Sequence, residues 1–141
     1  MSGEFTIVRE FDAPRALVFA AWTDPAQLGV WWGPKGFTAR QVVRDGNRLR
    51  GQMVADDDGT AYPIVVNYRT VVEPELLEFA WGDPTDPDSL SDITVRFTES
   101  GGTTTMTFHL RAPGAFSPDD GAYGGWNSAF DRLAALTGIS R

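Results

Sequence analysis

The sequence predicts an α+β domain, with seven antiparallel strands, one long helix near the C-terminal end and two short helices between the first and second strands. Three observations carry that prediction. Alternation of apolar and polar residues recurs in seven runs between Phe5 and Leu110, each bounded by turn residues. From Asp119 the apolar spacing changes from two to three and four. Between Phe11 and Phe37, in FDAPRALVFAAWTDPAQLGVWWGPKGF, proline and glycine divide the chain into two helical stubs. One amphipathic helix laid on one face of an antiparallel sheet is an α+β arrangement. Residues 1–141 are expected to form a single domain.

Phe5, Ile7, Arg9 and Phe11 alternate with Thr6, Val8 and Glu10 and predict the first strand. Pro14 suits the first turn of a helix, and Val18, Ala21 and Trp22 give that helix an apolar face. Asp24-Pro25, with Gln27 three residues after Asp24, reads as the cap and first turn of a second helix. Leu28, Trp31 and Trp32 form its apolar face, and Gly33-Pro34-Lys35-Gly36 ends it. Neither stub is long enough to be stable alone, so both must lean on the sheet.

The second strand is expected over Phe37–Val43, the turn at Asp45-Gly46-Asn47, and the third strand over Arg48–Ala55 with Leu49, Gly51 and Met53 on one side. Asp56-Asp57-Asp58-Gly59 turns the chain into a strand over Ala61–Val72, with Tyr62, Ile64, Val66 and Tyr68 on one face. Glu73-Pro74-Glu75 is a tight turn before Leu77, Phe79 and Trp81. Gly82–Asp92, with two Asp-Pro pairs, is read as a loop and the one flexible insertion. Ile93, Val95 and Phe97, then Thr104, Met106, Phe108 and Leu110, face inward from the last two strands, joined by Ser100-Gly101-Gly102. Ala112–Pro118 is a loop. In the final helix Trp126, Phe130, Leu133 and Thr137 make one stripe with Ala122 and Ala129 beside it, between Asp119-Asp120 and Gly138.

Composition removes several functional classes. There is no cysteine, hence no disulfide, thiolate metal site or cysteine nucleophile, and a cytoplasmic location is expected. A net charge of −7 disfavours phosphate backbones and anionic lipid, so no nucleic-acid partner is expected. No run of about 18 apolar residues is present to span a membrane, and Met1-Ser2-Gly3-Glu4 does not read as a signal peptide. The single histidine, His109, lies on the polar side of its strand and is read as a surface residue. With no cysteine and one histidine, neither a zinc site nor any other metal or cofactor is expected. The Asp56–Asp58 run lacks the later ligands of a calcium loop and is read as a solvated turn.

Arg9 is the most informative charge, because it shares the apolar side of its strand with Phe5, Ile7 and Phe11. Two readings follow: a structural role, as an ion pair with Asp24 or Glu78 or as a side chain exposed at a strand edge, or a carboxylate-seeking donor inside a pocket.

Asp12-Ala13-Pro14-Arg15, Val18, Ala21-Trp22-Thr23-Asp24-Pro25 and Trp31-Trp32-Gly33-Pro34-Lys35-Gly36-Phe37 together resemble the START-like helix-grip superfamily. More narrowly they resemble the small proteins related to the C-terminal domain of the heat-shock-protein ATPase activator. Val72–Phe79 and Gly125-Trp126…Phe130-Asp131-Arg132-Leu133 extend the resemblance over essentially the whole chain. Glu73 departs from the family pattern, which often has a second proline there, and affects a turn rather than a site.

The resemblance implies a curved seven-stranded sheet gripping the last helix, with a cavity between them. In the wider superfamily such cavities hold lipids, sterols, hormones or polyketides, and a minority of members are cyclases or other enzymes. The candidate ligand-binding residues here are Arg9, Trp22, Trp32, Phe37, Tyr68, Phe79, Trp81, Phe97, Phe108, Trp126 and Phe130. Most of these rings also serve as core; Trp32 and Trp126 are the pocket candidates beyond core, and Tyr68 is the polar anchor. Trp31-Trp32-Gly33-Pro34 is a candidate gate, and Gly124-Gly125 is read as a close backbone approach to the cavity.

The leading expectation is a module that binds a small hydrophobic or amphipathic ligand, with no catalytic residue assigned. A cyclase or dehydratase using Arg9, Tyr68, Asp24 or Glu78 is the enzymatic alternative. A chaperone partner and a homodimer stay open as further interactions.

Overall fold

The computed structural model describes residues 3–32, 36–82, 90–112 and 122–137. In chain order the elements are β1 (Gly3–Phe11), α1 (Arg15–Thr23), α2 (Pro25–Trp31), β2 (Phe37–Asp45), β3 (Arg48–Ala55), β4 (Ala61–Val72), β5 (Leu76–Gly82), β6 (Ser91–Ser100), β7 (Thr103–Ala112) and α3 (Ala122–Thr137). The predicted order and type of all ten are as expected. Gly33–Lys35, both Asp-Pro pairs, the 113–118 segment, Asp119, Asp120 and Gly138 lie outside the described residues, and with them Gly33 and Pro34 of the candidate gate.

The seven strands form one antiparallel sheet in the order β1-β7-β6-β5-β4-β3-β2. Each strand from β3 to β7 lies beside its predecessor, as short turns require. The exception is β1, which pairs with β7, opposite Leu110 at Phe5 and opposite Met106 at Arg9. Strands β1 and β2 are therefore the two edges, about 29 Å apart measured along the sheet at the usual strand spacing. The α1–α2 stretch crosses that distance, which is why two helices sit where a hairpin turn would otherwise suffice.

Asp24 ends α1 and starts α2. Its N–H donates to Ala20 O, and its carboxylate accepts from Ala26 N at 3.1 Å and Gln27 Nε2 at 3.2 Å. Pro25 takes the first position of α2, as predicted. Pro14 caps α1 in an extended conformation, one residue before the helix proper.

Alternation aims one face of every strand inward. Leu49, Ile64, Val66, Leu77, Phe79, Ile93, Val95, Phe97, Met106 and Phe108 are buried there, and Val18, Phe19, Ala21 and Trp22 of α1 pack on them. Trp126, Ala129, Phe130, Leu133 and Ala134 bring α3, about 24 Å long, onto the same core. Gly51 faces inward too, and a Cβ there would come within 3.1 Å of Val42 Cγ2, so glycine is what lets β2 close over β3.

The sequence did not announce one feature of β2. Pairing with β3 slips between Arg40 and Val43, and Gln41 takes φ 55°. This is a β-bulge, which bends the edge strand over the concave face. A left-handed backbone at a residue with a Cβ is strained. Gln41→Gly is expected to raise stability by about 0.5–1 kcal/mol, the relief exceeding the added chain entropy of glycine. Urea unfolding at neutral pH checks the value.

Candidate functional site between the sheet and the last helix

The site begins at the C-terminal end of α1, where a helix leaves its last carbonyls without internal partners. Side chains from three other elements donate to them. Trp31 Nε1 of α2 donates to Ala21 O at 2.9 Å, Tyr68 Oη of β4 to Trp22 O at 3.2 Å, and an Arg44 guanidinium nitrogen of β2 to Thr23 O at 3.1 Å. Arg44 also donates to Gly46 O and lies 4.7 Å above the Tyr68 ring, a cation–π distance.

With its backbone held this way, the Trp22 ring projects between the sheet and α3. It lies within 6.4 Å of the rings of Trp31, Phe79, Phe108, Trp126 and Phe130. Trp126 in turn meets Trp81 at 5.2 Å and Phe108 at 4.7 Å. The rings do not fill the space completely. Trp22, Leu28, Trp32, Val66, Tyr68, Phe79, Trp81 and Trp126 surround a hollow with about 10 Å³ for the centre of a water molecule, room for one water. Two of these residues, Trp22 and Trp81, have indole N–H groups that are buried and have no hydrogen-bond partner among the described residues.

The electrostatics of this region are muted. Burial pushes the Tyr68 phenol up to about 12, against a smaller lowering by Arg44. Asp58, in the acidic turn, is held below the ordinary carboxylate range by hydrogen bonds, chiefly from the Thr60 N–H. No cluster among the described residues has the donors to hold a metal ion, and no helix among them is long and apolar enough to cross a membrane.

A family model described as "Activator of Hsp90 ATPase homolog 1-like protein" matches residues 12–138. The chain belongs to that family.

Solved structures agree on the helix-grip fold. A Mycobacterium smegmatis protein in the crystal is 30% identical, with a TM-score of 0.78 over 98% of this chain and 92% of that one. A solution structure from Arthrobacter aurescens is 28% identical, with a TM-score of 0.82 over 95% of this chain and 85% of that one. A Chromobacterium violaceum crystal structure gives 0.83 at 23% identity, over 95% and 96% of the two chains, and speaks for the fold alone. No curated protein matches.

Within this family member the candidate residues divide. Trp22, Trp32, Tyr68, Phe79, Trp81 and Trp126 come together around the hollow. Leu28 and Val66 line it as well and were missed, although both lie on the apolar faces the sequence defines. Phe97, Phe108 and Phe130 are fully buried core, deeper than the lining. Phe37 packs on Tyr62 near the end of β2, 5.9 Å between rings.

Arg9 lies apart from the hollow. It donates to Asp131 Oδ1 at 2.9 Å and to Asn127 O at 3.3 Å, both on α3, so the expected partners Asp24 and Glu78 are replaced by Asp131. The reason is register: Arg9 sits on edge strand β1, over which α3 runs, whereas Glu78 is mid-sheet on the outward side of β5. The four acid–base candidates are likewise dispersed, with Arg9 of β1 bonded to Asp131, Tyr68 bonded to a backbone carbonyl, Asp24 capping α2 and Glu78 on the outward side of β5. His109 faces outward as predicted, its Nε2 2.9 Å from Glu4 Oε2. Gly124 and Gly125 fall in the opening turn of α3, and only Gly125 is placed further, as half-buried.

Two outcomes follow. Tyr68→Phe leaves Trp22 O without its donor and is expected to cost about 1–2 kcal/mol at neutral pH. The same variant should be less sensitive to alkali. A phenol raised from 10.0 to about 12 in the folded state stabilises fully below pH 10 and loses that contribution as pH rises through about 12. About 2 kcal/mol of the roughly 3 kcal/mol is lost by about pH 11.5 in the parent and none in the variant, which urea unfolding from about pH 8 to about pH 11.5 measures. Second, Arg9→Met removes the tie between β1 and α3 and is expected to lower stability by about 1 kcal/mol, since Asp131 is largely exposed.

Proposed function

We propose that this chain binds a small hydrophobic or amphipathic molecule between the sheet and α3. The supporting observation is the hollow itself, lined by aromatic and aliphatic side chains with the Tyr68 phenol among them. Apolar walls with a few directed polar groups are the usual form of a small-molecule site. As it stands the hollow takes one water, so an occupant must displace rings. Trp81 is the lining ring that keeps substantial contact with solvent, and its movement, with that of Trp126 beside it, is the proposed route of entry. The chaperone-docking reading is supported by the family's description alone.

The test is a thermal-shift screen of lipids, flavonoid-like compounds and polyketides, followed by tryptophan fluorescence for the hits. A ligand at 100 times its Kd is expected to add about 2.7 kcal/mol of stability and to change the emission of the lining tryptophans. Silence across the whole screen overturns the proposal.

A further inference from the structure

We propose that the outward face of β2 and β3 is a docking surface for an acidic polypeptide segment, held by Arg40, Arg48 and Arg50. This surface is separate from the hollow, which lies on the opposite face of the sheet.

The register builds the surface. Arg48, Arg50 and Gln52 alternate with the buried Leu49, Gly51 and Met53, so they point outward. Arg40 is opposite Gln52, and Val43 is opposite Arg50. Arg40 and Val43 are three positions apart on β2, and the extra residue of the bulge puts both on one face. Arg48 and Arg50 are about 7 Å apart along β3, and Arg40 continues the row at about the same step on the neighbouring strand. All three arginines are exposed.

Their charge is uncompensated. None of them makes an ion pair among the described residues, whereas Arg9, Arg15 and Arg69 each have a carboxylate. Asp45, opposite Arg48, is exposed and forms no ion pair among those residues either. On the β4 side the three rows continue through Asn67, Val65 and Pro63, none of them charged. Asp92, further along the row of Arg48, is held by Arg69 at 2.8 Å. With 19 acidic against 12 basic residues the chain has an excess of carboxylates, yet these three arginines are without one. Protection of a sheet edge does not account for them, because Arg48 and Arg50 are on β3, which is paired on both sides.

The chemistry selects the partner. A guanidinium presents a planar fork that matches a carboxylate with two hydrogen bonds. In an extended polypeptide, side chains on one side also recur about every 7 Å, so acidic residues at alternate positions meet the arginine row in step. Val43, 51% exposed beside Arg50, adds an apolar contact.

The test titrates the full chain into a fluorescein-labelled peptide, Glu-Thr-Glu-Thr-Glu-Thr-Glu, and into the same peptide with glutamine for glutamate, read by anisotropy. The acidic peptide is expected to bind at least about tenfold more tightly than the glutamine peptide, and to weaken about tenfold between about 20 mM and about 500 mM salt. Arg48→Gln/Arg50→Gln is expected to weaken it about fivefold. Arg96→Gln/Arg111→Gln removes the same charge from two exposed arginines on the outward face of β6 and β7, and is expected to change affinity by less than about twofold. All the substituted arginines are exposed, so both double variants are expected to fold. Equal weakening by the two double variants, equal binding of the glutamine peptide, or no binding overturns the proposal. Tighter binding of an oligouridylate of equal charge assigns the surface to nucleic acid and overturns it. Concentration-dependent dimerisation that Arg48→Gln/Arg50→Gln abolishes makes a second copy the occupant and likewise overturns it.

Discussion

The carbonyl oxygens of Ala21, Trp22 and Thr23 hold the helical layer to the sheet. A helix end buried against a sheet must find donors for its last carbonyls. Here one comes from α2, one from β4 and one from β2, through Trp31, Tyr68 and Arg44. The three bonds fix α1 in position and in rotation, because each donor comes from a different direction. The Trp22 ring follows from that rotation, and the packing of Trp126 and Phe130 of α3 follows from the Trp22 ring. Arg44 has a double role: its guanidinium caps α1 and covers the face of Tyr68, the residue that caps the neighbouring carbonyl. These contacts therefore form one coupled group, in which changes at Arg44 and Tyr68 should not add.

The fold was legible because its signals are local. Period-two alternation with Gly and Asp turns places strands without knowledge of the sheet, and Asp24-Pro25 marks a helix boundary by cap chemistry alone. Gly101 and Gly102, both at positive φ, make the two-residue turn that Ser100-Gly101-Gly102 suggested. Features that depend on how strands meet were not legible. The bulge at Gln41 carries no glycine to mark it, and the partner of Arg9 depends on α3 crossing β1, some 120 residues later in the chain. The rings of the site were readable as apolar. Which of them line space and which fill it depends on where the elements leave a gap: Phe97, Phe108 and Phe130 are fully buried fill, while Trp22, Trp32 and Phe79, nearly as buried, border the hollow. Periodicity has no term for such a gap.

The position of Arg9 changes the chemistry expected of the interior. A guanidinium pointed into the cavity would have selected carboxylates. Joined instead to Asp131 and the Asn127 carbonyl, it fastens α3 to the edge strand and leaves the interior without a positive side chain from β1. Among the described residues the hollow is lined by uncharged side chains. Tyr68 fits the same description: its phenol is held protonated by burial and acts as a donor to backbone, not as an ionised group.

The two unpartnered indoles are the place where the sequence departs from the simplest stable solution. Each buried N–H without an acceptor costs about 1–3 kcal/mol, a large share of a domain stability of about 5–15 kcal/mol. Phenylalanine at either position would keep a ring and remove the orphan donor. Crowding does not explain the omission, because Trp31 in the same cluster is fully buried and fully paired. Local rules that fail in an otherwise consistent fold tend to fail at functional positions. Here they fail at two tryptophans that both pack on Trp126 and both line the hollow, a pattern that packing alone does not require.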